Sequence, residues 1–226
     1  MNMLDLFSGI GGFHLAAEWV WGDDLNVVTH VEIDPFCQKV LRKHWPDVPI
    51  HDDIRSYKHD GTRIDLLTGG YPCQPFSTAC HGQNIAEDLS PWMRLVCQAV
   101  KPRYIIAENV AEETIAGFEA WCRSVGYGAF RCRVGAFEIG ADHKRNRWFG
   151  IAYPNDKSEL HGEVYAEMAR VQSLQNTTWR RWGNYARTFR VHDGIPNRTH
   201  RLKALGNAIV PQVVVPIMQA IKEQAN

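Results

Sequence analysis

"MLDLFSGIGGFHLAAEWVWGDDLNVVTHVEIDP", residues 3–35, is the stretch that decides the fold. Met3 to Phe7 reads as a short apolar strand that breaks at a turn carrying Gly9, Gly11 and Gly12, and a helix follows to about Trp19. Val27 to Val31 reads as a second strand, and Pro35 stands where a helix starts, running to about His44. Glycines between a strand and a helix allow a tight turn and close approach of backbone to a ligand. Glu32 follows the second strand, where an acid can accept both hydroxyls of a ribose. That pattern suits NAD and other adenosine cofactors alike.

The rest of the chain continues the alternation. Residues 64–68 predict a strand, Pro91 to Val100 a helix, Tyr104 to Ala107 a strand and Glu112 to Ser124 a helix. Arg131 to Phe137 and Arg147 to Ala152 read as later strands, and a final helix starts near Val210. The expectation is an α/β fold with a Rossmann-like, doubly wound, mostly parallel sheet and a small second region. Residues 153–200 lose periodicity and gain Asn, Trp and Arg. The chain therefore divides into 1–152, where strands and helices alternate; 153–200, a short region without period; and 201–226, a closing segment.

Composition excludes several classes. The 226 residues are 45% hydrophobic and 22% charged, ordinary for a soluble protein. No apolar run approaches the roughly 20 residues of a membrane span, and the N-terminus lacks the pattern of a signal peptide. The cysteines at 37, 73, 80, 97, 122 and 132 contain no C-x-x-C pair, so neither a zinc site nor a disulfide framework is expected. A cytoplasmic protein with reduced thiols and no metal follows. Net charge is zero, yet Arg170, Arg180, Arg181, Arg187, Arg190, Arg198, Arg201 and Lys203 crowd a stretch whose one acid is Asp193. That asymmetry points to a polyanion.

Five further motifs stand out. In "DLLTGGYPCQPFST", residues 65–78, Pro72 and Pro75 stiffen a loop that holds Cys73 just past a strand. A structural thiol explains Cys73 as well as a reactive one does. "ENV" places Glu108 at the end of the strand from Tyr104, where its carboxyl shares a crevice with Cys73, a nucleophile beside a proton donor. Arg145 and Arg147 in "DHKRNRWFGIA" are two apart, so on a strand they share a face and suit a phosphate or a base edge. "HDDIR" puts Asp53 after a third apolar element, in reach of an adenine amino group, though a surface turn accounts for it equally. "ALGNAIVPQ" reads as a Gly206–Asn207 turn before the last helix.

Taken in order, "DLFSGIGG", "VEIDP", "GGYPCQPFS", "ENV", "HKRNRWFGIA" and "RLKALGNAIVPQ" strongly resemble the DNA cytosine-C5 methyltransferases, over residues 3–152 and about 193–221. The resemblance implies S-adenosyl-L-methionine as cofactor, S-adenosyl-L-homocysteine as product and double-stranded DNA as substrate. It assigns Cys73 to attack on cytosine C6, Glu108 to N3 and the exocyclic amine, and Arg145 and Arg147 to holding a flipped base. It assigns Phe7, Gly9, Ile10, Gly12, Glu32, Ile33, Asp53, Ile54, Pro72 and Asn207 to the cofactor, with the C-terminal helix packing back beside the first strand. Three departures stand out. His143 replaces the usual Gln, "TACHGQNIAEDLSPW" lacks the usual Arg-Gly pair of the catalytic loop, and the recognition region is short. In that region Arg180, Arg181, Arg187 and Arg190 interleave with aromatics and are the candidates for DNA contact. A cognate endonuclease or a separate recognition subunit is a natural partner. The alternatives are tRNA cytosine-C5 methylation and a non-catalytic binder of the same fold.

Overall fold

A computed structural model describes residues 1–72, 87–139, 141, 145–157, 159–178 and 198–225. Cys73 and the four arginines Arg180, Arg181, Arg187 and Arg190 lie outside the described residues. Among the described residues, seven strands form one sheet: β1 (Asn2–Leu6), β2 (Asn26–Val31), β3 (Ile50–His51), β4 (Leu66–Gly69), β5 (Tyr104–Asn109), β6 (Tyr127–Gly135) and β7 (Asn146–Pro154). Their spatial order is β3-β2-β1-β4-β5-β7-β6. Pairing is parallel from β3 to β5, while β7 runs antiparallel to both β5 and β6.

Period-two patterning explains the two cores. Along β5, Tyr104 and Ile106 enter one apolar cluster and Ile105 and Ala107 the other. On one face pack α1 (Gly12–Trp21), α5 (Leu160–Thr178) and α7 (Pro211–Ala225). On the other pack α3 (Ser90–Val100) and α4 (Glu112–Ser124). Two more helices, α2 (Pro35–His44) and α6 (Arg198–Asn207), meet at the rim, where the rings of Phe36 and His200 stack at 6.0 Å. Asp34 caps α2 by accepting from the Phe36 amide at 2.8 Å, and Pro35 occupies its first position.

Three expectations need adjustment. Residues 153–200 are not without regular structure: α5 buries Leu160 and Val164 in the core shared with α1 and α7. Gly206 and Asn207 end a helix instead of forming a free turn. The C-terminal helix packs on α1, with Lys222 donating to the Val20 carbonyl at 2.7 Å, and shares an apolar core with Met3 of β1. The stretch Lys203–Ala225 is apolar over the length of a membrane span, with mean hydropathy 1.5. It is two helices, however, and Val213, Val214, Ile217, Met218 and Ile221 are spent on the core.

Candidate active site

The winding of the sheet reverses between β1 and β4, and in such sheets the crevice beyond the strand ends at that switch point receives ligands. An open cleft of about 640 Å³ lies there, lined by Phe7 and Gly9 after β1, Glu32 after β2, Asp53 after β3, Pro72 after β4 and Glu108 on β5. Ile33, Ile54, Arg147 and Asn207 also line it. Ile10, Gly12 and Arg145 instead border a neighbouring cavity of about 400 Å³.

Phe7 sits at φ 53° and Gly9 at φ 55°. A left-handed Phe costs on the order of 1 kcal/mol. It turns the chain so that the Ser8 amide reaches the Val31 carbonyl at 3.1 Å. Glu32 is pinned through both carboxylate oxygens, accepting from the Gly9 amide and from the Asp34 amide at 2.7 Å each. Burial raises its pKa, while those two amides oppose the shift. Each oxygen keeps a second lone pair, so a pre-oriented pair of acceptors remains for a diol. Gly11, at φ 85°, has no room for a side chain, because a Cβ would lie 2.2 Å from Trp45. These features fit an adenosine cofactor.

Asp53 is differently engaged than the sequence suggests. Arg55 grips it through Nε and Nη2 at 2.6–3.0 Å and also reaches Glu87 at 3.0 Å. The Arg55 guanidinium and amide lower the Asp53 pKa. Across the cleft, Lys203 pairs with Asp34 at 3.3 Å. Sequence reasoning missed Arg55, Asp34 and Lys203 as cleft residues: Arg55 and Asp34 lie inside motifs read for the acids beside them, and Lys203 meets Asp34 across 169 positions.

Glu108, next to last in β5, is almost completely buried, with Arg147 Nε 2.7 Å from its Oε1. The meeting follows from the antiparallel β7, which brings its first residues to the end of the sheet where the parallel strands finish: Glu108 stands opposite Phe149 and Asn109 opposite Trp148. Burial pushes the Glu108 carboxyl up to about 7, against the pull of Arg147 and Arg145. Gly70 lets the loop after β4 pass close, since a Cβ there would lie 3.1 Å from Glu108 Oε2. Asn109 Nδ2 donates to the Tyr71 carbonyl at 3.1 Å, fixing the two residues that lead into Cys73. The described cysteines, 37, 97, 122 and 132, are all buried. Burial pushes Cys37, Cys122 and Cys132 up to about 12 and Cys97 well above its usual value. They are inert as nucleophiles.

Arg145 parts company with Arg147. Its Nη2 donates to the carbonyls of Gly206 at 2.7 Å and Ala208 at 2.5 Å. A second unpredicted feature lies under the glycine turn. Thr68 donates to Asp5 Oδ1 at 2.6 Å, His30 Nδ1 stands 3.3 Å from Asp5 Oδ2, and His30 Nε2 lies 3.0 Å from His14 Nδ1. His14 is stacked on Trp45 at 4.1 Å, and burial, aided by His30, lowers its pKa to about 4. Asp5 inside an apolar strand was the available signal for this network.

The family model of C-5 cytosine-specific DNA methylases matches residues 1–182. The chain belongs to the C-5 cytosine-specific DNA methylase family. Among its methylase relatives, the Type II methyltransferase M.HgiBI of Herpetosiphon aurantiacus is 33% identical over 189 residues, covering 74% of this chain and 40% of that protein. The tRNA (cytosine(38)-C(5))-methyltransferase of Schizosaccharomyces pombe is 27% identical over 173 residues, covering 70% of this chain and 52% of the other. The crystal structure of the S. pombe Dnmt2 methyltransferase superposes with TM-score 0.60 at 23% identity, over 74% of this chain and 55% of that one, which shows the shared fold. The chain thus spans less than two thirds of the length of these relatives.

Proposed function

We propose that this chain carries the catalytic centre of a DNA cytosine-C5 methyltransferase. The observation that supports it most is the Glu108–Arg147 pair, set in the same cleft as the pinned Glu32 and beside the loop leading to Cys73. Bound S-adenosyl-L-methionine supplies the methyl group. Glu32 orients the cofactor's ribose, and Phe7, Gly9, Ile33, Ile54, Pro72 and Asn207 complete the wall around it. On the base side, the Cys73 thiolate adds to C6 of a cytosine rotated out of the duplex. Glu108, holding a proton near neutrality, hydrogen-bonds N3 and stabilises the electron density that addition pushes onto the ring. After methyl transfer to C5, loss of the C5 proton re-forms the C5–C6 double bond and expels the thiolate. Arg147 holds Glu108 in place and opposes its full protonation. The basic stretch with Arg180, Arg181, Arg187 and Arg190 contacts DNA. A cognate endonuclease and a separate recognition subunit remain the partners to seek.

The test is incubation with methyl-labelled S-adenosyl-L-methionine and either duplex DNA or tRNA, with the Cys73→Ala protein as control. Label in DNA, lost in Cys73→Ala, supports the proposal; label in tRNA alone selects the other substrate class. Turnover kept within tenfold by Cys73→Ala would remove the thiol from the mechanism. For the basic stretch, each Arg→Ala change that releases a phosphate should reduce the salt slope of binding by about 0.9. Four variants binding like the wild type would move DNA contact elsewhere.

A further inference from the structure

The geometry points to Arg145 as a positioning residue for the cofactor half of the site, acting through Asn207, and not as a holder of the base. This rests on the cofactor reading proposed above. Asn207 is the last residue of α6 and lines the large cleft. The carbonyls on either side of it, Gly206 and Ala208, belong to a helix end, whose last carbonyls lack partners within the helix. Arg145 Nη2 donates to both, at 2.7 and 2.5 Å. A cation there also complements the negative end of the helix dipole. From the other side the same junction presses on the glycine turn: a Cβ on Gly12 would lie 2.2 Å from Ile209 Cγ2 and 2.9 Å from the Ile209 carbonyl. The junction is therefore clamped between α1 and Arg145, which fixes the direction of Asn207.

Two residues further on, Arg147 pairs with Glu108 at 2.7 Å. One short stretch thus serves both halves of the cleft. Arg145 steadies the cofactor wall, and Arg147 steadies the base-facing carboxyl.

Calorimetric titration of S-adenosyl-L-methionine into wild type, Arg145→Ala, Arg147→Ala, Asn207→Ala and the Arg145→Ala/Asn207→Ala double variant separates the roles. Arg145→Ala should weaken binding about tenfold, the scale of one lost charge-assisted hydrogen bond. Arg147→Ala should stay within twofold. The double variant should be little worse than Asn207→Ala alone, because the two act in series. Arg145→Lys, which keeps the charge but not the guanidinium, should fall between wild type and Arg145→Ala and serves if the Ala variant is poorly folded. Hydrogen exchange at residues 206–210 should quicken in Arg145→Ala with no ligand present. Unchanged cofactor affinity, or unchanged exchange, in Arg145→Ala overturns the inference. Wild type that binds no S-adenosyl-L-methionine at all instead fells the cofactor reading, and the exchange comparison still decides whether Arg145 holds the junction.

Discussion

At Glu108, burial works against two guanidiniums, and burial prevails, leaving the carboxyl near 7. A neutral carboxyl can donate a hydrogen bond to a ring nitrogen, which an ionised one cannot. Glu108→Gln keeps the shape but loses the transferable proton, so turnover should fall about 10²- to 10⁴-fold while cofactor affinity stays within twofold. Steady-state rates beside calorimetry check this, and near-normal turnover would remove the proton from the mechanism. Glu32→Ala should weaken cofactor binding by about 1.5 to 3 kcal/mol, and unchanged affinity would contradict the ribose assignment. Both carboxylates were legible in the sequence, because an acid at the end of an apolar strand is a local pattern. The partners that set their chemistry were not. Arg147 meets Glu108 only because β7 runs antiparallel, and the Gly9 amide reaches Glu32 across 23 positions of sequence. Cys73 was legible as a loop thiol, and the role proposed for it rests on the family and on how Gly70 passes Glu108 and Tyr71 meets Asn109.

Among the elements, the contact between α1 and the α6–α7 junction leaves no room for a methyl group. Gly12→Ala places a methyl in contact with Ile209, and overpacking of this kind costs about 1 to 3 kcal/mol. Thermal melting should show Gly12→Ala destabilised and the Gly12→Ala/Ile209→Ala pair partly recovered relative to Ile209→Ala alone. Strict additivity of the two changes would mean the contact is not what the glycine serves. At this scale the strands and most helices were readable, since apolar runs of the right period fix element type locally. The helix Leu160–Thr178 was not. Its apolar positions, Leu160, Val164 and Met168, follow helical spacing but sit among polar and charged neighbours, and only packing on α7 makes the pattern decisive. The antiparallel placement of β7 between β5 and β6 was equally hidden, being a property of pairing and not of any one strand.

For the molecule as a whole, two buried groups set opposite limits on pH. Glu108 has a raised pKa, so the stability it contributes is complete below its unfolded value of 4.5 and is lost as pH rises through about 7. His14 has a lowered one, so its contribution is complete above 6.5 and is lost as pH falls through about 4. Between 4.5 and 6.5 the two dependences run in opposite directions and largely cancel, so denaturant titrations of wild type should be nearly flat there. Glu108→Gln should expose the His14 dependence, stability rising with pH from about 4, and His14→Asn the Glu108 dependence, stability falling toward about 7, each by up to about 1.4 kcal/mol per pH unit. Variants as flat as wild type would assign the pH dependence to other groups. The packing of α7 on α1 has a different consequence, one of timing. On the ribosome, α1 emerges roughly 200 residues before the helix that covers it, at about 5 to 20 residues per second. For ten seconds or more on that scale, Phe13, Ala17, Val20 and Trp21 have no lasting cover. The nascent protein offers an uncovered greasy helix to chaperones throughout that interval, and it can close the cleft wall at Asn207 only after α7 has been made.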